Sequence, residues 1–232
     1  MQKTYYLYGK HACISALNNR ARKILSVEVS EGFYAKHKDE LIPFKNIRVV
    51  KPQELDNRVG KNIQHQGIVI KTESIVQPDL NKTLATAKRI VLLDQLSDAH
   101  NIGSILRSSL AFGVDAVFNT KDNSFSDEAV IAKVASGAFE HIPYYEVGNL
   151  VRLMEDLKKQ EFWLLGLTAD AKQTIREVKG FERLAIVLGA EGQGLRQLTE
   201  KTCDILAKIP ISNKMESLNA SIALAVALYE LT

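Results

Sequence analysis

Three segments of this 232-residue chain carry residue types that can bring a backbone close to a ligand and steady a developing negative charge. The first runs Asp94-Gln-Leu-Ser-Asp-Ala-His-Asn101-Ile-Gly103-Ser-Ile-Leu-Arg107. Asn101 stands where a helix N-cap belongs, and Ile102, Ile105, Leu106 and Leu110 continue as an apolar face. Gly103 and Arg107 lie four residues apart, so they share one face and the glycine leaves room one turn before the guanidinium. Such an arginine can hold a phosphate or stabilise an oxyanion, although a lone helix arginine is more commonly a surface arginine paired with an acid. The second segment, Gly189-Ala-Glu191-Gly192-Gln-Gly194, follows an apolar run, and its three glycines permit close backbone approach or simply a tight turn. Its spacing is G-x-x-G-x-G, not the dinucleotide fingerprint G-x-G-x-x-G, which counts against a nicotinamide-dependent oxidoreductase. A carboxylate in such a loop, Glu191, needs a partner or a ligand if buried. The third segment runs from Ile209-Pro210 to Ser217-Leu218-Asn219-Ala220-Ser221 and opens an Ala/Leu-rich helix. A cap explains one of its polar residues Ser217, Asn219 and Ser221, but not three in a helix of buried composition.

The elements around these segments place them at strand ends. Arg89–Asp94, Ala116–Asn119, Phe162–Leu167 and Leu184–Leu188 are apolar runs of strand length, separated by helical stretches at Ile102–Phe112 and Leu150–Lys159, with a last helix at Leu218–Leu231. That pattern predicts a parallel sheet covered on both faces, whose ligands bind beyond the carboxyl ends of the strands. The first third alternates shorter elements: helices near Lys10–Asn19 and Tyr34–Leu41, strands at Ile24–Ser30, Ile47–Val50 and Gln66–Lys71, and a helix opened by Pro52. Ile75–Thr86 is polar and contains Pro78. The expected division is therefore a first domain over 1–75, a linker over 76–86 and a second domain over 87–232.

Composition narrows the class. Apolar residues at 46% and charged residues at 25% exclude a disordered chain. Residues 1–75 hold 13 Lys/Arg against 7 Asp/Glu, a net of +6, whereas residues 76–232 hold 17 against 20, a net of −3. The basic first segment suits a polyanion, or a solvated face. Cys13 and Cys203 stand far apart, without the spacing of a zinc site or a disulfide framework, so no metal is expected and a reducing cytoplasm fits. The first residues lack the apolar run expected of a signal peptide, and no apolar run reaches the length of a membrane span.

Together the three segments resemble the RNA ribose 2′-O-methyltransferases of the SpoU (TrmH) family, within the SPOUT superfamily. The family's N-x-G-x-x-x-R motif followed by Phe-Gly is matched by Asn101, Gly103, Arg107 and Phe112-Gly113. Its L-G-x-E-x-x-G motif is matched by Leu188, Gly189, Glu191 and Gly194. Its third motif is matched by Ile209-Pro210, Ser217-Leu218-Asn219, Ser221 and Tyr229-Glu230. Tyr8-Gly9-Lys10-His11, His65-Gln66-Gly67 and Lys133–Ala138 are similar to the branch that methylates guanosine in bacterial 23S ribosomal RNA. Ala99 replaces a frequent proline and Asn213 a frequent glycine, changes that bear on loop rigidity and not on the reacting groups.

The resemblance implies an α/β fold: a SPOUT-type parallel sheet with a C-terminal trefoil knot, preceded by a small α/β, ribosomal-protein-like RNA-binding domain. It implies S-adenosyl-L-methionine held by the loops around Gly189, Ile209 and Leu218, RNA as partner (23S ribosomal RNA first, transfer RNA as the alternative), and a homodimer with the active site near its interface. Asn101, Arg107, Glu191, Ser217 and Asn219 would carry the chemistry. Since a guanidinium stays protonated, Arg107 is expected to hold the neighbouring phosphate and stabilise the emerging alkoxide while water takes the proton. The rival from another class is a catalytically silent RNA-binding protein on the same scaffold.

Overall fold

Thr4–Tyr8, three of whose five residues are tyrosines, forms a strand that the sequence pattern did not separate from its surroundings; here it is β1. The computed structural model describes residues 3–44, 46–121 and 127–231. After β1 come α1 (Lys10–Asn18), β2 (Ile24–Ser30), α2 (Glu31–Leu41), β3 (Ile47–Val50), α3 (Pro52–Val59) and β4 (Ile68–Glu73). Their sheet has the order β1-β4-β2-β3, with β2 and β3 parallel and β4 antiparallel to both neighbours. Ser30 starts α2 three residues earlier than expected, because its hydroxyl accepts from Phe33 N at 3.2 Å. The strand expected from Gln66 begins at Ile68 instead. Gln66 and Gly67 both take positive φ, and a Cβ on Gly67 would stand 2.9 Å from that of Phe33.

The chain continues with α4 (Leu80–Thr86), β5 (Arg89–Asp94), α5 (Ala99–Ala111), β6 (Ala116–Thr120), α6 (Glu128–Val134), β7 (Tyr144–Val147) and α7 (Leu150–Lys159). It ends with β8 (Trp163–Leu167), β9 (Gln173–Thr174), β10 (Leu184–Gly189), α8 (Gln197–Thr202), β11 (Ile205–Lys208) and α9 (Ala220–Glu230). The second sheet, β7-β6-β5-β10-β8-β11-β9, is parallel throughout. The four strands read from the sequence are its consecutive centre, where residues bury on both faces. Ile90, Leu92, Phe118, Leu164 and Val187 pack with Leu153, Met154 and Leu157 of α7 in one core cluster.

Two compact units result: Met1–Val76 with Asp127–His141, and Gln77–Ser126 with Ile142–Thr232. The segment between β6 and β7 thus differs from the expected division, and side chains show why. Ala129 of α6 joins Tyr8, Leu55 and Val69 in a cluster, Glu128 accepts from the Ser74 hydroxyl at 2.8 Å, and Glu140 pairs with Arg22 at 3.3 Å with both side chains buried. Counted by unit, the first holds 14 Lys/Arg against 10 Asp/Glu and the second 16 against 17, so the charge contrast narrows to +4 against −1. The expected linker is helical in its second half. Asp79 caps α4 by accepting from Lys82 N at 3.0 Å, and Leu84 is buried in the core of the second unit.

Candidate active site

Neighbouring strands β5 and β10 are in register, with Asp94 opposite Gly189 at their carboxyl ends. From Gly189 the chain doubles back tightly: Gly194 N donates to the Ala190 carbonyl at 2.9 Å, and Gly192 and Gly194 take φ of 77° and 66°. A Cβ on Gly189 would lie 2.0 Å from the Gly194 carbonyl, so only glycine fits there. Asp94 clasps the base of this loop. Its Oδ1 accepts from Arg196 Nε at 2.7 Å and lies 2.6 Å from Nη2, while its Oδ2 accepts from Arg196 N at 3.0 Å. The sequence reading missed this pair; its signal was a carboxylate ending an otherwise apolar strand.

Asn101 is not the N-cap of α5. Asp98 takes that role by accepting from His100 N at 3.0 Å, and Ala99 begins the helix. Asn101 therefore lies in the first turn, where its buried amide is free to reach other elements. Its Nδ2 donates to Glu191 Oε1 at 3.0 Å, and its Oδ1 accepts from Asn219 Nδ2 at 2.8 Å. Asn219 Nδ2 also reaches Glu191 Oε1, which accepts from Ala220 N at 3.4 Å as well. Three loops, one from each sequence segment, thus meet at one carboxylate. Glu191 is exposed, and these three donors, not burial, are what the structure sets against its carboxylate.

The last helix starts at Ala220, two residues later than expected, because Asn219 Oδ1 caps it by accepting from Ser221 N and Ile222 N. The Ser221 hydroxyl donates to the same oxygen at 2.6 Å, and Ser217 stays ahead of the helix facing the cleft. That accounts for all three polar residues. Nor is α9 buried on all sides in a single chain: Ile222, Val226 and Tyr229 are 53%, 38% and 74% exposed along one stripe.

Between these loops lies a cleft of about 400 Å³, walled by Leu167–Asp170, Leu188–Leu195, Ile209, Ser217 and Leu218. The volume suits a nucleoside-sized ligand, and the glycine wall exposes backbone donors and acceptors to it. Gly189, Ile209, Leu218, Glu191 and Ser217 all line it; Asn101 stands behind through its bond to Glu191. Arg107 does not join them. It lies six residues beyond Asn101, roughly 9 Å along the axis and on another face of α5. It is exposed, and its side chain makes no hydrogen bond or ion pair among the described residues. No cluster of three or more potential metal ligands occurs among the described residues.

A parallel sheet whose carboxyl ends form a glycine-walled cleft defines an α/β domain of nucleotide-cofactor type. Residues 88–229 match the SpoU rRNA Methylase family, and residues 6–76 match the RNA 2′-O ribose methyltransferase substrate binding family. The chain is 36% identical to the 23S rRNA (guanosine-2′-O-)-methyltransferase RlmB of Coxiella burnetii, over 99% of this chain and 96% of that one. It is also 36% identical to the RlmB of Vibrio vulnificus, over 97% and 95%. In fold it is similar to the SpoU methyltransferase AviRb of Streptomyces viridochromogenes in complex with AdoMet, with a TM-score of 0.83 and 20% identity over 98% of this chain and 88% of that one. The chain belongs to the SpoU family and is an RNA ribose 2′-O-methyltransferase.

Proposed function

We propose that the protein transfers the methyl group of S-adenosylmethionine to the ribose 2′-hydroxyl of a guanosine in 23S ribosomal RNA. The observation that carries this reading is the junction of Asn101, Glu191 and Asn219 against the glycine-walled cleft. Relatives named for this activity align over nearly the whole chain, both units included. The donor supplies the electrophilic methyl, so the protein's part is alignment and charge stabilisation. Gly189, Ile209 and Leu218 would hold the donor. The Ser217 hydroxyl would orient the ribose, and the hub on Glu191 would fix the loops relative to one another. Unit 1 would supply RNA affinity, and free thiols at Cys13 and Cys203 accord with a cytoplasmic setting.

A homodimer completes this reading. Arg107 stands apart from the cleft of its own chain, three residues before Leu110, which is 39% exposed. Helix α5 packs against α9 with its exposed Ile222, Val226 and Tyr229, so Arg107 borders an apolar strip suited to a second copy. Pairing there would bring Arg107 to the partner's cleft, where its planar fork could hold phosphate and the developing alkoxide. The reading also includes a C-terminal trefoil knot, in keeping with the place of β10 between β5 and β8 and the packing of α9 on α5.

Mass-spectrometric mapping of ribose methylation in 23S and transfer RNA, with and without the gene, tests the assignment. One 2′-O-methylguanosine in 23S RNA should disappear and return on complementation. Loss from a transfer RNA alone would move the substrate, and no loss in either would refute the reading.

A further inference from the structure

Unit 2 contains a second, larger cleft of about 720 Å³ beyond the carboxyl ends of β5 and β6, at the start of α7. Four cations line it: Lys121, Arg152, Lys159 and Arg196. Lys159 is paired with Asp156 at 2.7 Å and Arg196 with Asp94 at 2.6 Å. That leaves Lys121 and Arg152, neither of whose side chains has a hydrogen bond or ion pair among the described residues, against the single carboxylate of Glu155. Among the described residues the balance is one net positive charge. The ten-residue helix α7 adds its N-terminal partial charge: Asn149 caps Arg152 N at 3.0 Å, while the N–H groups of Leu150 and Val151 have no partner among the described residues. Independently, Thr199 lines the same cleft, and its fully buried hydroxyl has no hydrogen-bond partner among the described residues. A buried hydroxyl left without a partner costs stability, so a bound acceptor would relieve it.

One net charge, a helix N-terminus and a spare hydroxyl fit a singly charged phosphate ester, and fall short of what a polyphosphate demands. The place of the cleft says which ester. Leu195 lines the cofactor cleft and the next residue, Arg196, lines this one, so the two adjoin where the glycine loop ends. We propose that the second cleft holds a backbone phosphate of the RNA beside the methylated nucleotide, through Lys121, Arg152, the Thr199 hydroxyl and the start of α7. The inference rests on the RNA methyl-transfer reading and adds to it a substrate subsite.

The test uses the full chain carrying Lys121→Gln with Arg152→Gln, and separately Thr199→Val, against the unaltered protein on the same RNA. The double variant should bind RNA about tenfold more weakly, and the slope of log affinity against log salt should shrink by about 0.7, the value for one phosphate contact on a single strand. Its affinity for S-adenosylhomocysteine should be unchanged. Thr199→Val should raise KM a few-fold and leave kcat alone. An unchanged salt slope in the double variant overturns the proposal. So does a variant that loses binding of inorganic phosphate or guanosine monophosphate with RNA affinity intact, since the cleft would then serve a free nucleotide. Failure of the unaltered protein to methylate any RNA would be a different result, striking the functional reading itself.

Discussion

The side-chain amide of Asn101 donates to Glu191 Oε1 at 3.0 Å, joining the first turn of α5 to a glycine loop ninety residues further along the chain. Asn219 bonds to both, so the same two groups also fix the start of α9. Glu191→Ala removes the acceptor that all three loops share. It should cost about 1–2 kcal/mol by denaturant unfolding, because the bonds are charge-assisted but exposed, and should weaken S-adenosylhomocysteine binding about tenfold. In a double-mutant cycle, Asn101→Ala and Glu191→Ala should couple by at least about 0.5 kcal/mol. Strict additivity would mean that the pair does not hold the loops together.

The Asp94–Arg196 clasp allows a sharper stability prediction. Arg196→Ala leaves a fully buried carboxylate with no charged partner. Removing one member of a fully buried pair costs about 3–5 kcal/mol, and the half-exposed guanidinium brings the expected loss down to about 2–3 kcal/mol. Arg196→Lys should recover only part, since an ammonium cannot make the same fork. Unfolding curves for the two variants check this; a loss below about 0.5 kcal/mol for Arg196→Ala would show that the loop closes without the clasp.

In unit 1, Arg22 and Glu140 are both buried, and Asn19 donates to Glu140 Oε2 at 2.9 Å. Arg22→Met alone should destabilise the unit by about 3–5 kcal/mol, whereas Arg22→Met with Glu140→Gln removes both charges and should recover most of it. Burial pushes the Glu140 carboxyl above its ordinary value of 4.5, against the opposing pull of Arg22. The fold therefore favours the protonated acid: this contribution is complete below about 4.5 and is lost as pH rises through the folded value. Stability measured from pH 4.5 upward should show that decline in the parent and lack it in Glu140→Gln.

What the sequence made legible follows burial. β5, β6, β8 and β10 are covered on both faces and read as unbroken apolar runs. Tyr144–Val147, Gln173–Thr174 and Ile205–Lys208 are short and only partly buried, so their patterns carried no comparable signal. The three motif segments were visible, and four of the five proposed catalytic residues do converge. The fifth, Arg107, does not, because a spacing of six residues turns it away from Asn101 on the helix. The union of Asp127–His141 with the first unit was hidden for another reason. It depends on contacts such as Arg22 with Glu140, whose partners are far apart in the chain and follow no local period.

If Arg107 acts across a dimer interface, two defective chains should rescue one another. Arg107→Ala and Glu191→Ala homodimers, each with little activity, should regain measurable methyl transfer when subunits are exchanged, since a mixed dimer holds one intact site. Exchange confirmed by a labelled subunit but without regained activity would place Arg107 and Glu191 in the same chain's site.

Single-turnover methyl transfer by Arg107→Ala, at saturating RNA and S-adenosylmethionine, tests the central claim most directly. The Arg107 side chain is exposed and makes no hydrogen bond or ion pair among the described residues, so its removal should change stability by no more than about 0.5 kcal/mol. Cofactor affinity should hold, while the rate of ribose methylation should fall by about a hundredfold or more, the scale of a lost transition-state contact. A variant equally stable that methylates the RNA at a near-normal rate would contradict the account and leave Glu191, Ser217 and Asn219 to explain the chemistry.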